Sequence, residues 1–149
     1  MTDINRSALL PYAADRVYTL INDISAYPQY MDGCVGTEIL AQGEDEQGEF
    51  MEARLDLSKA GLRHSLTTRN RLQRPTTVKM ALVDGPFDDF AGIWTVQPLS
   101  DSACKVSLEL RFTITNKLLN MAAKTLFNPM ADNLVDALVK RAHDLHQSE

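Results

Sequence analysis

From Asn116 to His146 the chain reads as one long helix with a single apolar face, and that limits what the rest of it can be. Leu119, Ala123, Leu126, Phe127, Met130, Leu134, Ala137, Leu138 and Leu145 recur at three- and four-residue steps. On a helix of about 3.6 residues per turn this spacing gathers them into one broad stripe. Asp132, Lys140 and Asp144 fall outside it. An amphipathic helix of this length is stable only against a broad apolar surface, because its own propensity contributes little.

The upstream chain supplies such a surface as strands. From Ala103 to Ile114, the residues Cys104, Val106, Leu108, Leu110, Phe112 and Ile114 alternate with Lys105, Ser107, Glu109, Arg111 and Thr113. That is the period of a half-buried strand. Weaker versions run over Val35 to Gln42, Glu49 to Leu57, Leu62 to Leu72, Val78 to Val83 and Phe90 to Gln97. Turn residues separate them, including the polar run Gly43 to Gly48 and the loop Asp84 to Asp89. At the front, Thr2 to Leu10 reads as a strand ended by Pro11. Ala13 to Asn22 reads as a short helix with Asp15 in its first turn, where a carboxylate favours the helix dipole. Ser25 can cap a second short helix that Pro28 limits. The order is one strand, two short helices, six strands and one long helix. It predicts a single α+β domain over residues 1–149, with a seven-stranded curved antiparallel sheet around a long C-terminal helix and two short helices between strands 1 and 2. A ligand would fit between sheet and helix.

The totals remove several function classes. A net charge of −5 over 149 residues argues against a general nucleic-acid binder and against DNA as a partner. Asp3 and Arg6 interrupt the start, so no signal peptide is expected, and no apolar run reaches the roughly 18 residues of a membrane span. The two cysteines, Cys34 and Cys104, lie far apart with no metal-like spacing. They read as reduced core residues of a cytoplasmic protein. His143 and His146 make a poor metal site by themselves and suit a solvated helix end. Glu52 and Asp56 point outward and do not pair for acid–base work. No nucleophile elbow, phosphate loop or dinucleotide fingerprint is present, so no catalytic residue and no metal is expected.

Particular residues carry the reading further. Pro11-Tyr12, Tyr18, Asn22-Asp23-Ile24, Tyr27-Pro28-Gln29-Tyr30 and Cys34 resemble the opening signature of the coenzyme Q-binding branch of START-like proteins. Ser58-Lys59-Ala60-Gly61, Thr67-Thr68-Arg69-Asn70, Leu82 to Phe87, Trp94 and Thr115-Asn116-Lys117-Leu118 resemble the bacterial RatA-type members of that branch. The resemblance covers essentially the whole chain and implies the helix-grip fold. It also implies two activities. One is non-enzymatic binding of ubiquinone or a related polyprenyl lipid in support of respiration, with transient contact at the inner membrane. The other is binding to the large ribosomal subunit with a block on subunit association, as a ribosome-associated toxin. No cofactor is expected beyond such a bound lipid. Asp32 stands where the branch usually has proline, and Pro129 interrupts the terminal helix. A proline there predicts a kink over Thr125 to Pro129, or two abutting helices.

The residues for each activity follow. Met51, Leu55, Leu66, Met80, Trp94, Leu108, Leu110, Phe127, Met130 and Leu134 could line a lipid cavity, although many of them must be plain core. Tyr27, Tyr30, His64 and Asn70 could contact a quinone headgroup. His64 reads equally as a core histidine bonded to a neighbour. Arg54, Arg63, Arg69 and Arg71 fall on the outer faces of strands 3 and 4 and could meet ribosomal phosphates, unless Glu49, Glu52 and Asp56 balance them. Met121, Val135 and Val139 form a strip on the opposite side of the helix that could touch a partner or a membrane surface.

Overall fold

The computed structural model describes residues 2–147. The strands are β1 (Thr2–Leu10), β2 (Cys34–Asp45), β3 (Gly48–Lys59), β4 (Leu62–Gln73), β5 (Thr77–Asp84), β6 (Asp89–Ser100) and β7 (Ala103–Thr113). They form one antiparallel sheet in the order β1-β7-β6-β5-β4-β3-β2. Between β1 and β2 lie α1 (Ala14–Asn22), a single tight turn at Ile24–Ala26 and the one-turn helix α2 (Tyr27–Tyr30). The architecture is the predicted one. The β2–β3 turn is tighter than the polar run suggests. Asp45 pairs with Gly48, and the Asp45 Oδ1 accepts the Gln47 backbone N–H at 2.9 Å. An aspartate that closes its own turn in this way lets both strands run almost to the tip.

The sheet's inner face and the helices enclose the core. On β7, Cys104, Val106, Leu108, Leu110 and Phe112 are buried in strict alternation. Val17, Tyr18 and Ile21 of α1 are buried against the sheet, and Tyr18 donates to the Thr77 carbonyl at 2.8 Å, which fixes α1 over the start of β5. Both cysteines are free and buried, as expected.

The terminal segment is not one continuous helix. After a turn at Lys117–Leu119 come a short α3 (Asn120–Ala122), one wide π turn (Ala123–Phe127) and then α4 (Asn128–Gln147). The break falls where the proline predicted it. A π turn bonds each N–H one residue further back than an α turn does, so it opens the backbone just ahead of Pro129. The ring and the missing N–H then fall in the first turn of α4, where proline is tolerated. The extra residue also rotates everything downstream. The buried face of α4 is Ala131, Val135, Leu138 and Ala142, not the stripe that an unbroken wheel gives. The proposed outer strip is therefore corrected. Val135 is core at 2% exposure, Val139 packs against the core, and of the three only Met121 is strongly exposed.

α4 lies across β1 and β7. Arg6 of β1 bonds Asp132 at 2.8 Å, and the Tyr12 hydroxyl shares a hydrogen bond with His143 Nδ1 at 2.5 Å. His143 is thus a tether between the helix end and the chain leaving β1, a role the expectation of a purely solvated end did not include. Among the described residues, no helix is long and apolar enough to cross a membrane.

Candidate functional site

An apolar cavity lies between the sheet and the helical layer. Its walls are built two residues apart, as strand geometry requires: Ala53 and Leu55 from β3, Leu66, Thr68 and Asn70 from β4, Val78 and Met80 from β5. Trp94 and Leu110 close the floor, and Phe127, Met130, Ala131 and Leu134 form the roof. The enclosed space is about 80 Å³. Typical small-molecule pockets run to roughly 300–1,000 Å³. A polyprenyl quinone therefore enters only if the roof lifts.

One edge of the roof is an aromatic cluster. Phe87, from the loop before β6, stacks with Phe127 at 4.8 Å between ring centroids and with Phe90 and Phe112 at 5.4 Å. Asp88 fastens this loop, because its Oδ2 accepts the Thr115 backbone N–H at 2.6 Å and the Thr115 hydroxyl at 2.7 Å. Those two bonds hold the Asp88 carboxyl below the usual carboxylate range. The wide turn carrying Phe127 forms the other side of the same seam.

Three polar side chains reach the cavity: Asn22, Thr68 and Asn70. The Thr68 hydroxyl donates to Asn70 Oδ1 at 2.9 Å, and Asn22 Nδ2 donates to the Tyr18 carbonyl at 3.1 Å. Among the described residues no ionised side chain lines the space. Tyr27 does, but its hydroxyl is engaged by the Ile21 carbonyl, and burial pushes it well above the ordinary tyrosine value. Burial also pushes the Cys34 thiol up. A buried charge without a partner is too costly to hold, so the cavity suits an uncharged ligand.

Of the residues named from sequence, Tyr27, Leu55, Leu66, Asn70, Met80, Trp94, Leu110, Phe127, Met130 and Leu134 come together here. Met51 and Leu108 face inward but belong to the solid core, at 6% and 0% exposure. Met51 lies one inward position beyond the cavity along β3, and Leu108 is fully covered in the main cluster. His64 does not reach the cavity. It sits opposite Leu57 with its ring 5.6 Å from Phe127. Tyr30 lines a separate cleft with Met31, Asp32, Met130 and Leu134. Its hydroxyl is buried with no hydrogen-bond partner among the described residues, and burial raises its pKa strongly. Sequence reasoning missed Thr68, Asn22, Phe87 and Phe90. Thr68 was legible, since it shares the inward face of β4 with Asn70. The two phenylalanines flank a loop whose path no periodicity reveals.

The arginine face forms as expected across β3 and β4, but its charge is mostly balanced. Arg54 pairs with Glu38 at 3.0 Å and Asp56 at 3.1 Å. Arg69 pairs with Asp45 at 3.3 Å and Glu52 at 3.6 Å, and Arg71 with Asp45 at 2.6 Å. Arg63 is exposed and has no carboxylate partner among the described residues. Asp32, at the cavity's outer rim, bonds Lys59 at 2.8 Å. The following Gly33 holds φ +89°, a conformation that favours glycine.

The family model described as polyketide cyclase / dehydrase and lipid transport matches residues 10–139. The chain is 42% identical to the ribosome association toxin RatA of Escherichia coli K12, over 99% of this chain and 91% of that one. A solved structure from Thermus thermophilus superposes with a TM-score of 0.78 at 18% identity, over 97% of this chain and 99% of the other. The Zhui aromatase/cyclase of Streptomyces sp. R1128 does so with 0.74 at 17% identity, over 95% and 93%. At those identities the likeness is one of fold.

Proposed function

The chain belongs to the RatA family, within the START-like polyketide cyclase / dehydrase and lipid transport proteins, and on that premise we propose that it associates with the large ribosomal subunit and blocks subunit joining. The observation that carries this reading is the 42% identity to a ribosome association toxin, spread over 99% of the chain rather than confined to a shared core motif. Such a protein works in the cytoplasm. The structure shapes how it would bind. With net charge −5 and Arg54, Arg69 and Arg71 already paired, simple phosphate neutralisation is a weak route. The test is sucrose-gradient sedimentation of ribosomal subunits with the purified protein. Co-migration with the large subunit and loss of joined ribosomes supports the reading. Protein left at the top of the gradient, with joining unchanged, overturns it.

A second reading rests on the cavity. Its uncharged lining supports binding of a neutral hydrophobic molecule, ubiquinone or a related polyprenyl lipid, without catalysis. Burial of a tail there would contribute about 25 cal/mol per Å². Trp94 is the protein's sole tryptophan and lines the space, so quenching of its fluorescence by a short-chain quinone reads occupancy directly. Saturable quenching supports the reading, and quenching no greater than that of free tryptophan overturns it.

A further inference from the structure

The last strand of the sheet leaves its outer edge open. β2 has β3 on one side and, among the described residues, no strand on the other. Beyond Cys34, whose N–H meets the Met31 carbonyl, no backbone hydrogen bond from any element but β3 reaches it among the described residues. α4 covers β1 and β7 instead. From Glu38 to the turn every residue of β2 is exposed. Val35, Ile39 and Leu40 stand out at 56%, 38% and 45% exposure. A bulge between Ile39 and Ala41 leaves Leu40 without an opposite residue, which re-aims that side chain, and regular pairing resumes from Ala41 to Asp45. Open edges of this length are usually blunted, because they template pairing with other chains.

The charge along this edge has one sign. No lysine, arginine or histidine stands between Arg16 and Arg54, whereas Asp32, Glu38, Glu44, Asp45, Glu46, Glu49 and Glu52 do. The arginines of β3 and β4 and Arg74 neutralise the inner members of this set. Glu44 and Glu46, at the outer end, have no basic partner among the described residues. Glu44 also sits directly opposite Glu49, an arrangement that costs stability in a sheet. A local rule broken at an exposed edge points to a use for the edge.

We propose that β2 is a docking edge for an extended, lysine- and arginine-rich peptide segment of another protein, which adds to the sheet as an outer strand. Backbone hydrogen bonds supply the pairing, Ile39 and Leu40 supply an apolar foothold, and Glu44 and Glu46 select for positive charge. The same acidity disfavours RNA, and it disfavours a second copy of this chain, whose own β2 would bring like charges together. In the ribosome reading, the edge would meet a basic extended segment of a ribosomal protein. That identification rests on the ribosome reading, whereas the docking edge itself does not.

The test uses the full chain and a labelled short peptide alternating lysine and valine, followed by fluorescence anisotropy and by amide shifts of the ¹⁵N-labelled protein. Saturable binding is expected, with shifts confined to β2 and the β2–β3 turn. The paired change Glu44→Lys/Glu46→Lys should weaken it by at least about tenfold, while the melting temperature stays within the range of surface substitutions. Methylating alternate backbone nitrogens of the peptide should abolish it. No saturable binding, equal binding of the methylated peptide, equal binding of a glutamate–valine peptide, competition by single-stranded RNA, or shifts centred elsewhere each overturns the proposal. A protein that binds the peptide but ignores ribosomal subunits keeps the edge and loses the ribosome reading. Subunit binding untouched by Glu44→Lys/Glu46→Lys overturns the identification of the edge's partner as a ribosomal protein.

Discussion

Arg71 grips Asp45 with both terminal nitrogens, Nη1 at 2.6 Å from Oδ1 and Nη2 at 2.7 Å from Oδ2. The same carboxylate also closes the β2–β3 turn through Gln47 and accepts Arg69 at 3.3 Å. One side chain thus joins a turn to the second strand over, and its charged form is the one that all of these partners require.

Acid should therefore act on the fold through Asp45. The Arg71 guanidinium holds its carboxyl well below the ordinary value of about 3.9. A carboxylate with a depressed pKa in the folded state stabilises the fold above its unfolded-state pKa, and that share is lost as pH falls toward the folded value. Asp32 beside Lys59, Glu49 beside Arg74 and Asp88 under Thr115 are shifted the same way. The melting temperature is expected to fall from about pH 4 downward. Asp45→Asn should melt lower than the parent at pH 7 and lose less on acidification, so that the gap between the two curves narrows steadily below about pH 4. Parallel curves in a thermal scan across this range would contradict the assignment.

Pro129→Ala separates two pictures of the terminal helix. In an unbroken helix interior, replacing proline by alanine would gain about 3 kcal/mol. In the first turn after the wide π turn, proline is already accommodated, and the substitution should cost up to about 1 kcal/mol through a freer unfolded chain. Urea denaturation distinguishes a small loss from a large gain.

Gly92 keeps the cavity open. A Cβ there would lie 2.6 Å from Met80 Cε and 2.7 Å from Leu110 Cδ2, both of which line the space. Gly92→Ala should push these side chains into it, at a cost of about 1–3 kcal/mol. Quinone quenching of Trp94 should fall sharply while ribosomal co-sedimentation is retained. If both activities disappear together in protein that is still folded, the cavity and the ribosome contact are not separate.

The Asp88 clasp sets how fast the roof opens. Asp88→Ala removes both bonds to Thr115 and frees the loop that carries Phe87. Quinone release, followed by stopped-flow recovery of Trp94 fluorescence, should become faster, with little change in where the ligand sits. An unchanged rate would move the gate to the π turn.

The sheet was legible because alternation is a local signal: Cys104 to Phe112 declare their face one residue at a time. The helix face was not, because a wheel assumes constant pitch. One wide turn at Ala123–Phe127 shifted Val135 from the supposed outer strip into the core. The same limit explains the site. Inward residues such as Leu108 and Leu110 have identical patterns, and only the three-dimensional fit of α1 and α4 makes one solid core and the other cavity wall. The arginines were placed on the right face, but their partners on β2 lie beyond any period in the sequence.

The pairing of β1 with β7 has a consequence for synthesis. Thr2 lies opposite Phe112 and Leu10 opposite Cys104, so β1 finds its strand partner only after β2 to β6 have been made. Contacts this distant in sequence form late and slowly. During translation β1 must wait beside a growing meander, and α4, which seals both strands, emerges after β7. A nascent chain therefore cannot close the cavity until α4 has left the ribosome.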